Sequence, residues 1–239
     1  MKFDTKCRVC FSDVRYFNTE TILNKYLIEY FVCENCGFLQ TEDPFWLDES
    51  YKYIVHPEDI GYLDRNIKMV DIVEQIINVE LNKDKVYVDY AGGCGVLTRL
   101  MRNRGFNFYC IDLVENIFAK GYEFSFPEYM VNKVELITCF EGLEHFIYPL
   151  EEIEKMVKFS DNILFSTELI PDVIIDIPNL KDWWYYGLNH GQHIGFYSLK
   201  TLKYIAKKYD LNLYSDKKKL HLLTKKGEIK SELFERILG

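Results

Sequence analysis

Four of the seven cysteines fall into two pairs, Cys7-Arg8-Val9-Cys10 and Cys33-Glu34-Asn35-Cys36-Gly37, with about 22 residues between the pairs. Each Cys-x-x-Cys knuckle can offer two thiolates to one tetrahedral ion, so Cys7, Cys10, Cys33 and Cys36 together fill a coordination shell and make the expected ion structural. Zinc is expected there. Iron in the same cage stays open; two disulfides are disfavoured in a reducing compartment, and a redox pair is disfavoured because two knuckles complete a metal site. A second group is Asp89-Tyr90-Ala91-Gly92-Gly93-Cys94-Gly95, where small residues let a ligand approach the backbone, followed about 17 residues after Gly95 by Asp112, an acid suited to a ribose diol. A third is Phe140-Glu141-Gly142-Leu143-Glu144-His145. The fourth is an aromatic and polar patch, Trp183-Trp184-Tyr185-Tyr186-Gly187 with His190-Gly191-Gln192-His193-Ile194-Gly195-Phe196-Tyr197-Ser198, too polar for ordinary filling and read as a substrate wall.

These groups need particular elements beneath them. Val86, Tyr87 and Val88 read as a buried strand leading into the glycine turn, and Val96–Arg104 as the helix after it, with apolar Val96, Leu97, Leu100 and Met101 on one side and Gly105 as the stop. Asn107–Ile111 is a second strand ending at Asp112. Val134–Phe140 and Asn162–Thr167 are further buried strands, and the amphipathic run Pro149–Phe159 is a helix with acids in its first turn. A short helix is expected over Glu115–Lys120, a short or irregular third strand within Gly121–Lys133, and a loop over Ile170–Asn179. Ser198 should cap a helix over Leu199–Tyr209, followed by an antiparallel pair, Leu211–Tyr214 and Leu220–Lys225, and a charged helix over Gly227–Gly239.

Upstream, Tyr16–Val32 alternates as a small hairpin between the knuckles, Phe38–Leu47 is the exit from it, and Tyr62–Leu81 carries apolar residues at helical spacing. The organisation expected is a Cys₄ zinc-ribbon segment over 1–45, a linker and packing helix over 46–82, and a cofactor-binding domain over 83–239. A segment of about 45 residues is too small to fold on its apolar core alone, which makes a metal there useful.

The 239 residues carry a formal net charge of −8, which argues against a nucleic-acid backbone as the main partner. No apolar run reaches the roughly 18 residues a membrane span needs, and Met1-Lys2-Phe3-Asp4-Thr5-Lys6 lacks a hydrophobic signal core, so a cytoplasmic location is expected. With 18 Tyr and 17 Phe, aromatic side chains mainly fill the core, while some remain available as platforms for sugar rings. Cys110 and Cys139 fall in buried strands and read as packing.

The glycine turn separates two cofactor classes. A nicotinamide fingerprint, G-x-G-x-x-G, would need glycine where Thr98 stands, and an acid, Asp89, precedes the turn. The run resembles motif I of the class I S-adenosylmethionine-dependent methyltransferases, with Ala91 in place of the usual first glycine, and the Glu-x-x-Glu-His run is similar to the end of the strand facing the cofactor in many of them. With the Cys₄ segment and the Gly-Gln-His-x-x-Phe-Tyr-Ser loop, the chain resembles bacterial methyltransferases of sugar and surface-glycan biosynthesis. The resemblance implies an α/β, Rossmann-like fold with a mostly parallel sheet and an antiparallel last strand, plus the small zinc ribbon. It also implies S-adenosylmethionine as cofactor, held by Arg65 at the methionine carboxylate and by Asp89, Ala91, Gly92, Gly93, Gly95, Asp112, Leu113, Phe140 and Glu141. The acceptor implied is a small molecule, a sugar, nucleotide sugar or glycan precursor, taking the methyl on oxygen, nitrogen or carbon. For a hydroxyl acceptor the candidate bases are His145 and His193, with Tyr185 or Tyr186 orienting the substrate. A zinc-stabilised scaffold that has lost activity is the alternative from another class, and a nicotinamide reductase is a third.

Overall fold

The structure is a computed structural model and describes residues 6–53, 55, 57, 59–126, 132–170 and 183–227. Its larger sheet has six strands, in the order β5 (Asn107–Ile111), β4 (Val86–Tyr90), β6 (Leu136–Phe140), β7 (Asn162–Ser166), β10 (Leu220–Thr224) and β9 (Asn212–Ser215). β4, β5, β6 and β7 run parallel, and β10 lies antiparallel to both β7 and β9. Period-two alternation sorts their side chains onto two faces. Tyr87, Phe108, Leu136, Leu164 and Leu222 pack with Val73 and Ile77 of α2 (Tyr62–Glu80) and with Leu97 and Met101 of α3 (Val96–Asn103). Val88, Ile137, Ile163, Phe165 and Leu223 pack with Ile153 and Met156 of α4 (Pro149–Phe159) and with Leu202 and Ile205 of α5 (Leu199–Lys208). Covered on both faces, the parallel strands read as unbroken apolar runs.

The order makes β4 the switch point, since the chain leaves it toward β5 on one side and toward β6 on the other. Crevices at the carboxyl ends of strands so arranged are where ligands bind in open α/β sheets. The glycine turn follows β4, Asp112 follows β5 and Glu141 follows β6, so all three chemistries of the central chain meet at one edge.

One expectation needs correction. Residues 115–120 form no helix: Phe118 donates its amide to the Cys94 carbonyl at 2.8 Å, and Ala119 fills the space beside Gly95, so this stretch spends its backbone against the glycine turn. The third strand, expected to be short or irregular within Gly121–Lys133, is among the described residues a single parallel bridge, Cys110 with Glu123, at the outer side of β5. The loop expected over 170–179 lies outside the described residues beyond Ile170, as does the charged helix beyond Gly227.

The hairpin between the knuckles is present as β1 (Arg15–Ile22) and β2 (Tyr26–Val32), and the exit from it contributes β3 (Leu39–Thr41). Then the chain does something its local pattern does not announce. β8 (Gly195–Phe196), from the far end of the sequence, pairs with Leu39 and Gln40 and completes a four-stranded sheet. Ile28, Tyr30, Leu39 and Trp46 form one core with Tyr185, Tyr186, Ile194 and Phe196. Trp46 hydrogen-bonds the Gly191 carbonyl at 2.8 Å, giving its indole N–H the partner a buried tryptophan needs. Gly195 allows the pairing, because a Cβ there would meet the Phe38 ring at 2.7 Å.

Candidate functional site

The Cys₄ group is assembled. Cys7 and Cys36 sulfurs stand 3.5 Å apart and those of Cys10 and Cys33 3.3 Å, and all four lie within 4.8 Å of one another. Sulfurs at the corners of a tetrahedron around an ion at about 2.3 Å would be roughly 3.8 Å apart, so the cage is close to the size zinc needs. Gly37, at φ +77°, turns the chain after the second knuckle. All four cysteines are free thiols, so the disulfide alternative is not realised. Four sulfurs in contact cannot all ionise without a cation: hydrogen bonding from Cys36 draws the Cys7 thiol down to about 5, while the same contact drives Cys36 up.

At the carboxyl edge of β4 the backbone is folded tightly. Ala91, Gly93 and Gly95 all have positive φ (+54°, +58° and +83°), a region where a side chain costs about 1–2 kcal/mol and which Ala91 occupies despite its methyl. A Cβ on Gly92 would sit 2.4 Å from Asp89 Oδ2, and one on Gly95 would sit 2.4 Å from the Ala119 methyl. Asp89 is buried beneath this turn. It accepts a hydrogen bond from Thr138 at 2.9 Å through one oxygen, while Oδ2 has no partner among the described residues. Burial, helped by the charge of Asp112 and opposed by Thr138, pushes its carboxyl up to about 7. Asp112 is fixed from the other side, receiving the Gly93 amide at 2.7 Å and the Val114 amide at 2.9 Å, which leaves lone pairs on both oxygens for a diol. Leu113 beside it is fully exposed. The turn, the acid and the exposed apolar side chain have the form of a cradle for a nucleoside: donors at the start of α3, a carboxylate for ribose and a flat apolar support for a base.

The next two cofactor candidates stand at the end of β6, just before Gly142. Phe140 is half-buried at the end of β6, and Glu141, at φ +51°, takes the Ser166 hydroxyl at 2.5 Å and faces Lys219 at 3.4 Å. Arg65 lies on the first turn of α2 and is held by Asp59 in a two-pronged pair at 2.7 and 2.6 Å. Tyr62, not anticipated from the sequence, brings its hydroxyl to within 3.2 Å of Cys94 and next to the position a Gly93 Cβ would take. Nothing in its local pattern marks it apart from the other helix residues; only the crossing of α2 over the turn does.

Beside this cradle, the Glu-x-x-Glu-His run and the His-rich loop come together. Glu144 is fully buried and neither carboxylate oxygen has a hydrogen-bond partner among the described residues. Burial and the charge of Glu141 raise its carboxyl to about 8. His145 Nε2 lies 3.9 Å from Glu144 Oε1, and the His145 and His193 rings meet edge to face at 4.9 Å. His193 Nδ1 donates to the Tyr185 carbonyl at 2.5 Å, which leaves Nε2 as a lone pair. Burial keeps both rings neutral, drawing His145 down to about 3 and His193 well below its ordinary range. Tyr51, also unforeseen, binds His145 Nδ1 through its hydroxyl at 2.8 Å.

The aromatic patch is only partly a wall, and this corrects the sequence reading. Tyr185 and Tyr186 are 0 % and 1 % exposed, packed against the N-terminal hairpin, whereas Trp184 is 68 % exposed. Tyr186 stacks edge to face on Tyr30, so its alternation belongs to the shared core. Tyr185 places its hydroxyl 3.2 Å from Thr167 Oγ1.

Residues 63–216 match the family model described as a methyltransferase domain. No curated protein matches the chain. Among solved structures it is similar to an O-methyltransferase family protein from Burkholderia thailandensis, at 15% identity over 77% of this chain and 68% of that one, with a TM-score of 0.47. It is also similar to magnesium protoporphyrin IX methyltransferase from Synechocystis PCC 6803 with bound S-adenosylhomocysteine, at 13% identity over 75% of this chain and 93% of that one, with a TM-score of 0.48. A third is an S-adenosylmethionine-dependent methyltransferase from Clostridium acetobutylicum, at 14% identity, 68% and 92% coverage and a TM-score of 0.47.

Proposed function

The chain belongs to the methyltransferase domain family, and from that premise we propose that it methylates a hydroxyl of a small carbohydrate-type acceptor. S-adenosylmethionine supplies the methyl as a sulfonium group. Asp112 holds its ribose; Ala91, Gly92, Gly93 and Gly95 line its path with backbone; Asp89 braces the turn from below; Leu113 supports the base; Phe140, Glu141 and Arg65 face the methionine end. For Arg65 this requires exchange of Asp59 for the incoming carboxylate, a swap of like for like in charge.

The observation that carries the reading is the meeting of Glu144, His145 and His193 next to that cradle at one edge of the sheet. An acceptor hydroxyl must lose its proton as its oxygen takes the methyl, and a neutral imidazole in hydrogen-bond reach contributes about 10²–10⁴-fold. His193 offers Nε2 for this and is oriented by the Tyr185 carbonyl, while His145 stands beside it on the Tyr51 hydroxyl. Exposed Trp184 is a flat face for a sugar ring. The organisation is that of a Cys₄ zinc segment over 1–45, a linker and packing helix over 46–82 and the cofactor domain over 83–239, which lends β8 to the first. Zinc in this reading is structural and takes no part in transfer. Among the described residues no helix is long and apolar enough to cross a membrane.

Calorimetric titration with S-adenosylhomocysteine tests the reading, run beside NADH and a Gly93→Asp variant. Micromolar binding by the wild type alone, followed by methylation of a nucleotide sugar in an acceptor screen, is the expected result. Binding of NADH in its place would overturn the cofactor, and turnover confined to acceptors without a hydroxyl would overturn the acceptor class.

A further inference from the structure

The Glu144 carboxylate is fully buried with no cation paired to it among the described residues; the Tyr185 hydroxyl and Thr167 lie beside it, but neither oxygen has a well-formed hydrogen bond, an arrangement proteins avoid unless a charge elsewhere compensates it. Its polar neighbours are the Tyr185 hydroxyl, Thr167 and two imidazoles, with no lysine or arginine paired to it among the described residues. One oxygen of Glu144 and one ring nitrogen from each of His145 and His193 lie within 4.8 Å of one another. Ligands at about 2.0–2.2 Å around one ion would be roughly 3–3.5 Å apart, so the three groups need to close by only about an ångström.

The outer nitrogens are already committed. His193 Nδ1 donates to a carbonyl, that of Tyr185, and His145 Nδ1 is bonded to the Tyr51 hydroxyl. Metal-bound imidazoles are oriented in this way, with the second nitrogen tied to a carbonyl or hydroxyl so that the first presents its lone pair. The segments carrying the groups are stitched together too: Ile194 donates its amide to the Glu144 carbonyl at 2.9 Å, and the Tyr197 hydroxyl reaches the Leu143 carbonyl at 3.0 Å. Glu141 stands outside the set, engaged by Ser166 and Lys219.

We propose that Glu144, His145 and His193 form a site for one divalent metal ion, separate from the four cysteines. Two imidazoles and one carboxylate suit Mn²⁺, Fe²⁺, Co²⁺ or Zn²⁺, and three protein ligands leave open positions. That the open position takes the acceptor hydroxyl rests on the methyl-transfer reading above; the metal site itself does not. A hydroxyl bound to the ion loses its proton to water near neutral pH. Its oxygen then bonds the methyl carbon as the carbon–sulfur bond breaks, so that a methyl ether, a neutral thioether and one proton leave. In that case the imidazoles serve as ligands and no longer as free bases.

Mn²⁺ is the probe, because it has little affinity for a four-thiolate cage. It is titrated into zinc-loaded protein while the resonance of free Mn²⁺ is followed, and S-adenosylhomocysteine binding is measured on the same samples. One saturable Mn²⁺ per chain is expected, weakened at least tenfold in Glu144→Gln and in His193→Gln and unchanged in Asp71→Asn, a surface acid paired with Arg104. Absence of saturable binding, or wild-type affinity in Glu144→Gln, overturns the proposal. If Glu144→Gln does not fold, His193→Gln and His145→Gln carry the comparison under the same criterion. Mn²⁺ binding without S-adenosylhomocysteine binding supports the metal site and overturns the methyl-transfer reading; the reverse overturns the metal site alone.

Discussion

Two glycines with the same backbone show what the turn after β4 demands of single residues. Gly95 at φ +83° and Gly105 at φ +89° are both left-handed, but a Cβ on Gly95 meets Ala119 at 2.4 Å and one on Gly105 meets nothing within 4 Å. Gly105→Ala should cost about 1–2 kcal/mol of stability from backbone strain alone, and Gly95→Ala about 2–5 kcal/mol because overpacking is added; urea unfolding of both variants measures the gap. Asp89 gives a prediction in pH. Its folded carboxyl titrates near 7, above the ordinary 3.8, so the fold favours the protonated form. The contribution is fully present below about pH 4 and is lost as pH rises through 7. In Asp89→Asn the fall in melting temperature between pH 5 and pH 8 should shrink, and an unchanged fall would assign it to other groups. For His193, replacement by alanine should lower turnover at least 10²-fold while S-adenosylhomocysteine affinity stays within about threefold. Loss of both together would make His193 a structural residue.

At the scale of elements, short connections decide the site. β8 is only two residues long, yet it sets where His193, two residues before it, stands relative to Glu144. Immediately after it, Ser198 caps α5 in a reciprocal capping box with Thr201, whose hydroxyl also bonds the Cys36 carbonyl at 3.0 Å. The cap therefore ties the second cysteine knuckle to the cofactor domain. Ser198→Ala removes the side-chain cap and should cost about 1 kcal/mol, read as a shift in the thermal midpoint with the metal content of the four cysteines unchanged. On the opposite side, the absent helix at 115–120 is no defect, since Phe118 spends its amide on the Cys94 carbonyl and Ala119 packs against Gly95.

For the whole molecule, the N-terminal hairpin and the methyltransferase domain share a sheet through β3 and β8 and a core through Trp46, Tyr30 and Phe196. Removal of the ion proposed for Cys7, Cys10, Cys33 and Cys36 by a chelator should therefore loosen both. Structural zinc contributes on the order of 10 kcal/mol to such segments. Calorimetry should show one cooperative transition in the zinc-loaded protein and a lower midpoint after chelation, with S-adenosylhomocysteine binding weakened. Two independent transitions, with the cofactor domain untouched, would mean that the shared sheet does not couple them.

By itself the sequence determined the groups whose physics is local. Cys-x-x-Cys spacing, the glycine run after a β-branched strand, an acid at the end of the next strand and a Ser before a helix each act within one turn or one strand, and the six-stranded sheet with its helices follows from apolar period. The tertiary structure alone decided which distant segments meet. Tyr185 and Tyr186 look like a binding surface in one dimension and are core because the N-terminal hairpin covers them; Arg65 finds Asp59; Tyr51 and Tyr62 reach His145 and Cys94 only because of how the segments that carry them cross the sheet's edge. Glu144 was legible as an acid beside a histidine, but its full burial, and the histidine from 49 positions later that stands next to it, are properties of packing between elements that no local pattern encodes.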